Sequence, residues 1–282
     1  MIMRQLAWKL ALLVALAGCA AKPPAPAAAE AQLAAPNPAP AAAPDQNPLI
    51  SVIMDKFQVP YGAISQNEAF WKWVDEDALD VPTYELLRRN GLRIGRARVA
   101  DWQHFREILI DREGTHVDTT GFVALSGNND ITINLTDEMP EQLLFVVNEH
   151  GVTGRMYDWC QNRLSFAFAW ARHKRQTVRL SLCPVVAVQR KRFDYSLADR
   201  PPENVFVSEE YLYDLRFAAD IAPGEFLVIG PSPQAADPNR VGNRFLVHDG
   251  KRDRYEQLLI LTQTQMPLSR QPAGATSRPV PK

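Results

Sequence analysis

Residues 163–172 read "RLSFAFAWAR" and residues 177–188 read "TVRLSLCPVVAV". In the first run Leu164, Phe166, Phe168 and Trp170 alternate with Ser165, Ala167, Ala169 and Ala171. That period of two puts every bulky side chain on one face of a strand and leaves a small-residue face where backbone can approach closely. In the second run Val178, Leu180 and Leu182 alternate against Arg179 and Ser181. Together they predict a hairpin turning about His173, Lys174 and Arg175, at the centre of a β-rich body.

That register bears on the cysteines, of which there are three, Cys19, Cys160 and Cys183. With the turn near Lys174, Ser165 faces Cys183, and Cys160 faces Val188, five positions further along. At ~3.3 Å per residue this offset exceeds the Cα separation a disulfide permits, short of a bulge or a bend after Trp159. Two buried free thiols are the favoured reading. Neither cysteine has the neighbouring histidine or Cys-x-x-Cys spacing of redox chemistry.

Outward from the hairpin the period of two persists. It starts near His116 and covers "FVALSG", "DITINLT" and "QLLFVVNEHG", with turn residues at Gly127 to Asp130. Beyond Pro201 and Pro202 come "NVFVS", "YLYDLRFAADIAPGEFLVIGPSP", "NRFLVHD" and "YEQLLILTQTQ". Tyr211, Tyr213, Leu215, Phe217 and Ala219 read as one inward face, Pro223-Gly224 as a tight turn, and "QLLILTQ", apolar on both faces, as a central strand.

Upstream the pattern reads as helical. Ser65 with Glu68 has capping-box spacing, and Phe70, Trp71, Val74 and Leu79 follow at helix-like intervals, with Asp75, Glu76 and Asp77 facing outward. Pro82 opens a second helix and Asn90-Gly91 stops it. "LRIGRARV" is a strand, and "ADWQHFREILIDRE" carries Trp102, Phe105, Ile108 and Leu109 on one helical stripe. The expected fold class is α+β: a helical or α/β N-terminal part followed by a mostly antiparallel β-sheet or sandwich.

The ends have a different composition. Residues 1–9 carry Arg4 and Lys9, and residues 10–17 form an apolar core too brief to span a bilayer, which needs roughly 20 residues. Residues 1–18 therefore read as a signal peptide. Residues 19–48 are almost all Ala and Pro, a tether that cannot bury enough apolar surface to fold. At ~3.1 Å per residue in a polyproline conformation it reaches at most on the order of 90 Å. Residues 267–282 read as a disordered tail, which leaves residues 49–266 as the folded domain, with a sub-boundary near 115.

Leu16, Ala17, Gly18 and Cys19 resemble the lipobox of bacterial lipoproteins. The resemblance implies cleavage before Cys19, a diacylglyceryl group on its sulfur and acylation of its new amino group; two or more chains anchor stably where one is marginal. Ala20 in place of aspartate after Cys19 implies sorting to the outer membrane, facing the periplasm. The body resembles a family of uncharacterised bacterial envelope lipoproteins in "FWKWVDEDALDVPTYELLRRNGLRIG", "LCPVVAVQRKR", "APGEFLVIGPSP" and "EQLLILTQTQ", over most of residues 59–265. No catalytic motif or ligand comes with that family. "APGEFLVIG" with "EQLLILTQTQ" is also faintly similar to the last strands of the outer-membrane secretin domain, but lacks Gly-Gly after Ile229 and Pro-Arg after the threonine, and the chain is too short for a pore ring.

Motifs of known chemistry are missing. The five histidines are scattered, with no His-Glu-x-x-His, no Gly-x-Ser-x-Gly elbow and no Walker-type loop. His116 and Asp118 could share a metal from one strand face, but a solvated pair is the simpler reading, and Glu149-His150 in "NEHGVTG" reads as a turn. No cofactor is expected. A net charge of −1 over 282 residues argues against nucleic acid as a partner. Arg172, Lys174 and Arg175 at the hairpin tip, with Arg190, Lys191 and Arg192 at the far end of its second strand, form a candidate basic rim. Trp71, Trp73, Trp102, Trp159 and Trp170 read as core or partial core rather than as a sugar-stacking platform, with Trp73, on the opposite side of its helix from the apolar stripe, the one to inspect. The expectation is a membrane-anchored, non-enzymatic module that contacts an envelope protein or cell-wall polymer. The alternative is an envelope hydrolase or carbohydrate-binding enzyme built around His116, Asp118, Glu149 and His150.

Overall fold

The computed structural model describes residues 49–124, 130–172, 174, 176–192, 203–250 and 253–264. The signal peptide, Cys19, the tether and the tail lie outside the described residues, as does Arg175. By its contacts the chain divides into Met1–Asp45 and Gln46–Lys282, and everything below concerns the second unit.

In chain order the elements are β1 (Ile50–Pro60), α1 (Glu68–Trp71), α2 (Val81–Arg89), β2 (Leu92–Arg98), α3 (Trp102–Leu109), β3 (His116–Ala124), β4 (Ile131–Asn134), β5 (Met139–Asn148), β6 (Gly151–Trp170), β7 (Val178–Arg192), β8 (Glu203–Tyr211), β9 (Phe217–Ile221), β10 (Glu225–Pro231), α4 (Val241–Leu246), β11 (Val247–Asp249) and β12 (Arg254–Thr264). They build two antiparallel sheets. The first runs β2-β10-β12-β1-β3, with β11 also on β12; the second runs β4-β6-β7-β8, with β5 on β6 and β9 on β7. The first sheet draws β1 and β2 from before residue 115 and its other strands from after it.

The expected α+β class with a β-rich body is what the chain forms. The hairpin of β6 and β7 has the expected register, Ser165 opposite Cys183 and Cys160 opposite Val188. Leu164, Phe166 and Phe168 enter a core shared with Leu259 and Leu261 of β12 and Leu227 and Ile229 of β10. On the other face of the first sheet Leu258, Ile260, Phe226 and Val228 meet Phe70, Trp71, Phe105 and Leu109 from α1 and α3. The layers are thus helices, sheet, sheet. This arrangement explains the run "LLIL": β12 is central, and its alternate side chains serve two different cores.

Several expectations are corrected. The body opens with the strand β1, not a helix, and β1 sits between β12 and β3. α1 has a single turn, and its cap is Asn67, whose side chain accepts from the Phe70 N–H, not Ser65. Ser65 instead donates its hydroxyl to Glu256. The stripe of Phe70, Trp71, Val74 and Leu79 is buried as expected, but Leu79 belongs to the inter-sheet core while the other three face the helical layer. Tyr213 is 66% exposed because a 3₁₀ turn, Tyr213–Leu215, breaks the expected inward alternation. "NRFLVHD" is the end of α4 followed by the three residues of β11, with Phe245 and Leu246 in the core.

Cys160 and Cys183 are free and buried. Cys160 faces the inter-sheet core, whereas Cys183 lies on the opposite face of the second sheet beside Ser165. Offset along the strands and facing opposite ways, they cannot bridge. Burial pushes both thiols up to about 11, so they are protonated at neutral pH.

Candidate functional site

Two clusters of buried charge, around Glu256 and Arg93, are committed to holding the fold. Glu256 on β12 is fully buried, and its carboxylate accepts from the backbone N–H of Gly62 and Ile64 at 2.9 Å, from that of Ser65 at 3.0 Å, and from the Ser65 hydroxyl. Four donors compensate the desolvation of one carboxylate and wind residues 61–66 around it. Arg93 of β2 lies 4.6 Å over the Trp71 ring and donates to Glu68 at 2.9 and 3.0 Å and to Glu76 at 3.0 Å. Burial pulls the guanidinium pKa down, but Glu76 and Glu68 outweigh it and hold it above its ordinary range. Neither cluster was legible in the sequence, because each joins residues that only folding brings together.

The basic rim divides along β7. Arg172 is exposed, while Lys174 is bound to Asp220 at 2.9 Å, with Arg179 3.7 Å from the same carboxylate. Arg190, Lys191 and Arg192 are the last residues of β7, their backbone paired with Val205, Asn204 and Glu203 of β8. From the start of β7 to Arg190 the strand extends roughly 40 Å, so the two basic clusters cannot hold one small ligand.

His116, Asp118, Glu149 and His150 are not brought together. His116 and Asp118 belong to β3 at the edge of the first sheet, and Asp118 lies 3.5 Å from Lys56. Glu149 and His150 form the turn between β5 and β6, both 86% exposed, on the rim of a groove of about 510 Å³ whose other wall is α2. Among the described residues no group of three or more His, Cys, Asp or Glu side chains is placed to hold a metal.

A second groove, of about 480 Å³, lies along the edge strand β2. The loop after α1 forms one wall. Asp75 pairs with Arg96 as a one-residue bridge, its N–H donating to the Arg96 carbonyl at 2.6 Å and its own carbonyl accepting from the Arg96 N–H at 2.9 Å. The approach is so close that a Cβ on Gly95 would lie 2.5 Å from the Val74 Cγ1 and 2.7 Å from the Asp75 carbonyl oxygen. Gly95 inside "LRIGRARV" is therefore the sequence signal for this wall, since a strand glycine marks close backbone approach. Trp73 stands on the rim, stacked on His104 of α3.

No family model matches this sequence, and no curated protein matches it. Among solved structures it is weakly similar to secretin domains. The secretin-domain β-barrel of InvG from the Salmonella SPI-1 injectisome has 9% identity and a TM-score of 0.23, over 79% of this chain and 64% of that one. A chain of the Klebsiella pneumoniae type II secretion outer-membrane complex of PulD, PulS and the PulC HR domain has 12% identity and a TM-score of 0.21, over 77% of this chain and 39% of that one. The chain spans less than two-thirds of the length of either.

Proposed function

We propose that this protein is a lipid-anchored envelope module: Cys19 carries the acyl chains, residues 20–48 are the spacer, and the β-rich body is a non-enzymatic binding or structural unit. It is held at the outer membrane, facing the periplasm, and contacts another envelope component. The observation that carries the anchor is Leu16-Ala17-Gly18-Cys19 directly behind a short apolar run with two upstream cations. A binding role for the body is supported by the placement of its polar groups. Arg93 and Glu256 are used up inside the fold, and the carboxylates and histidines that would have made a hydrolytic centre sit on different sheets.

Membrane fractionation with mass spectrometry of the N-terminal peptide tests the anchor. Wild type is expected in the outer-membrane fraction with an acylated Cys19, and Cys19→Ala in the soluble periplasm. A soluble wild-type protein with an unmodified Cys19 would overturn the anchored reading.

A further inference from the structure

Trp73 and His104 lie with ring centroids 3.6 Å apart and planes 4° from parallel. One face of the indole is thus occupied, and Trp73 as a whole stays 36% exposed. Trp73 is one of the residues that line the groove of about 480 Å³ along β2. The stacked imidazole and the Asp75–Arg96 bridge two residues on restrain it, so less side-chain entropy remains to be lost on binding.

The groove walls are charged but internally neutralised. Arg96 bonds Asp75 at 2.9 Å and lies 3.8 Å from Glu225, and Arg98 bonds Asp101 at 2.8 Å. With Lys72 the lining holds three cations against three carboxylates, so the groove exerts no net pull on a polyanion. Its paired guanidinium and carboxylate groups still offer N–H donors and oxygen acceptors in planar arrays, which suit hydroxyl groups. An apolar flat surface beside such donors and acceptors matches the two sides of a pyranose ring: a C–H face to lie on the indole, and hydroxyls to meet the polar wall.

We propose that this groove binds a neutral saccharide chain, the glycan of the cell-wall polymer, with a sugar ring on Trp73 and hydroxyls on the Arg98–Asp101 and Arg96–Asp75 pairs. The assignment rests on the reading of the protein as an envelope-contacting module and supplies the chemistry of the contact. His104 is a positioning residue that keeps the indole flat against the groove.

The test uses the full-length protein in detergent, sedimented with purified peptidoglycan sacculi and titrated with a β-1,4-linked N-acetylglucosamine tetramer. Wild type is expected to bind both, with a change in tryptophan emission. Trp73→Ala should weaken binding by about tenfold or more, and Trp73→Phe should keep most of it. Arg98→Ala, at a side chain 72% exposed, should weaken binding with unchanged thermal unfolding, which separates lost contact from lost fold. Wild-type binding by Trp73→Ala and Arg98→Ala, or no binding of either probe by wild type, would overturn the assignment. If neither probe binds while an envelope protein is captured in a Cys19-dependent way, the glycan groove falls and the anchored module stands. If glycan binding holds while Cys19 proves unmodified, the anchor falls and the groove stands. A peptide ligand displaced by Trp73→Ala, with no glycan bound, would also overturn the proposal.

Discussion

Asn90 and Val147 exchange two hydrogen bonds: the Asn90 Nδ2–H₂ donates to the Val147 carbonyl, and the Val147 N–H donates to the Asn90 Oδ1, both at 2.7 Å. The asparagine that ends α2 thus acts as one more residue of a strand beside β5, and it ties the segment leading into the first sheet to the second sheet. Asn90→Ala would leave a buried N–H and a buried carbonyl without partners, at a cost of about 2–4 kcal/mol. Denaturant unfolding is expected to show a lower midpoint with an unchanged slope.

Glu256→Gln replaces one carboxylate oxygen with an amide that points hydrogens at the N–H groups of residues 62–65. The loss is about 2–4 kcal/mol. Ser65→Ala, which removes one of the four donors, should cost less, about 1 kcal/mol. A larger loss for Ser65→Ala than for Glu256→Gln in thermal unfolding would contradict the carboxylate-centred turn.

Gly95→Val should displace residues 72–75 from β2, because the first added carbon already meets the Asp75 carbonyl at 2.7 Å. The expected cost is about 2–3 kcal/mol, and amide hydrogen exchange should rise at Asp75 and Arg96 before it rises in β12.

Two groups that contribute to the acid side of the stability curve are His248 and Glu68. Burial holds the His248 imidazole below its ordinary value, although Asp137 and Gln257 pull the other way. Between that lowered value and the usual histidine range the unfolded chain binds a proton that the folded chain does not, so stability falls as pH drops through this window. His248→Phe, which keeps a ring beside Tyr255, should flatten the fall. Glu68, lowered chiefly by its hydrogen bond from Arg93, contributes stability that is present above the ordinary carboxylate range and is lost as pH falls through its lowered value. Arg93→Met should remove that second phase and leave the first.

Thiol labelling gives an independent check of the strand register. With Cys160 and Cys183 buried and raised to about 11, neither should react with a maleimide under native conditions, and both should react after denaturation without reductant. A mass two hydrogens lower, with no labelling, would mean that a disulfide had formed and the register was wrong.

The sequence made the second sheet legible because alternation in residues 163–172 is uninterrupted and one register alone keeps both apolar faces together. β1 is not legible in the same way because its apolar residues change parity midway, Ile50, Val52 and Met54 serving one core and Phe57 and Val59 the other. α4 reads as strand in the sequence because it is six residues long with few polar positions to mark a helical face. Trp73 could be singled out as lying off its stripe. Its stacking on His104, and the meeting of Asp75, Arg96 and Glu225, depend on how α1, α3, β2 and β10 pack, which no local pattern encodes.

Whether the anchored body contacts another envelope component is decided by crosslinking in intact cells followed by pulldown, comparing wild type with Cys19→Ala. A reproducible envelope protein or cell-wall polymer enriched with wild type, and lost when Cys19→Ala releases the body from the membrane, is the expected result. No enrichment over an unrelated lipoprotein of similar abundance would contradict it.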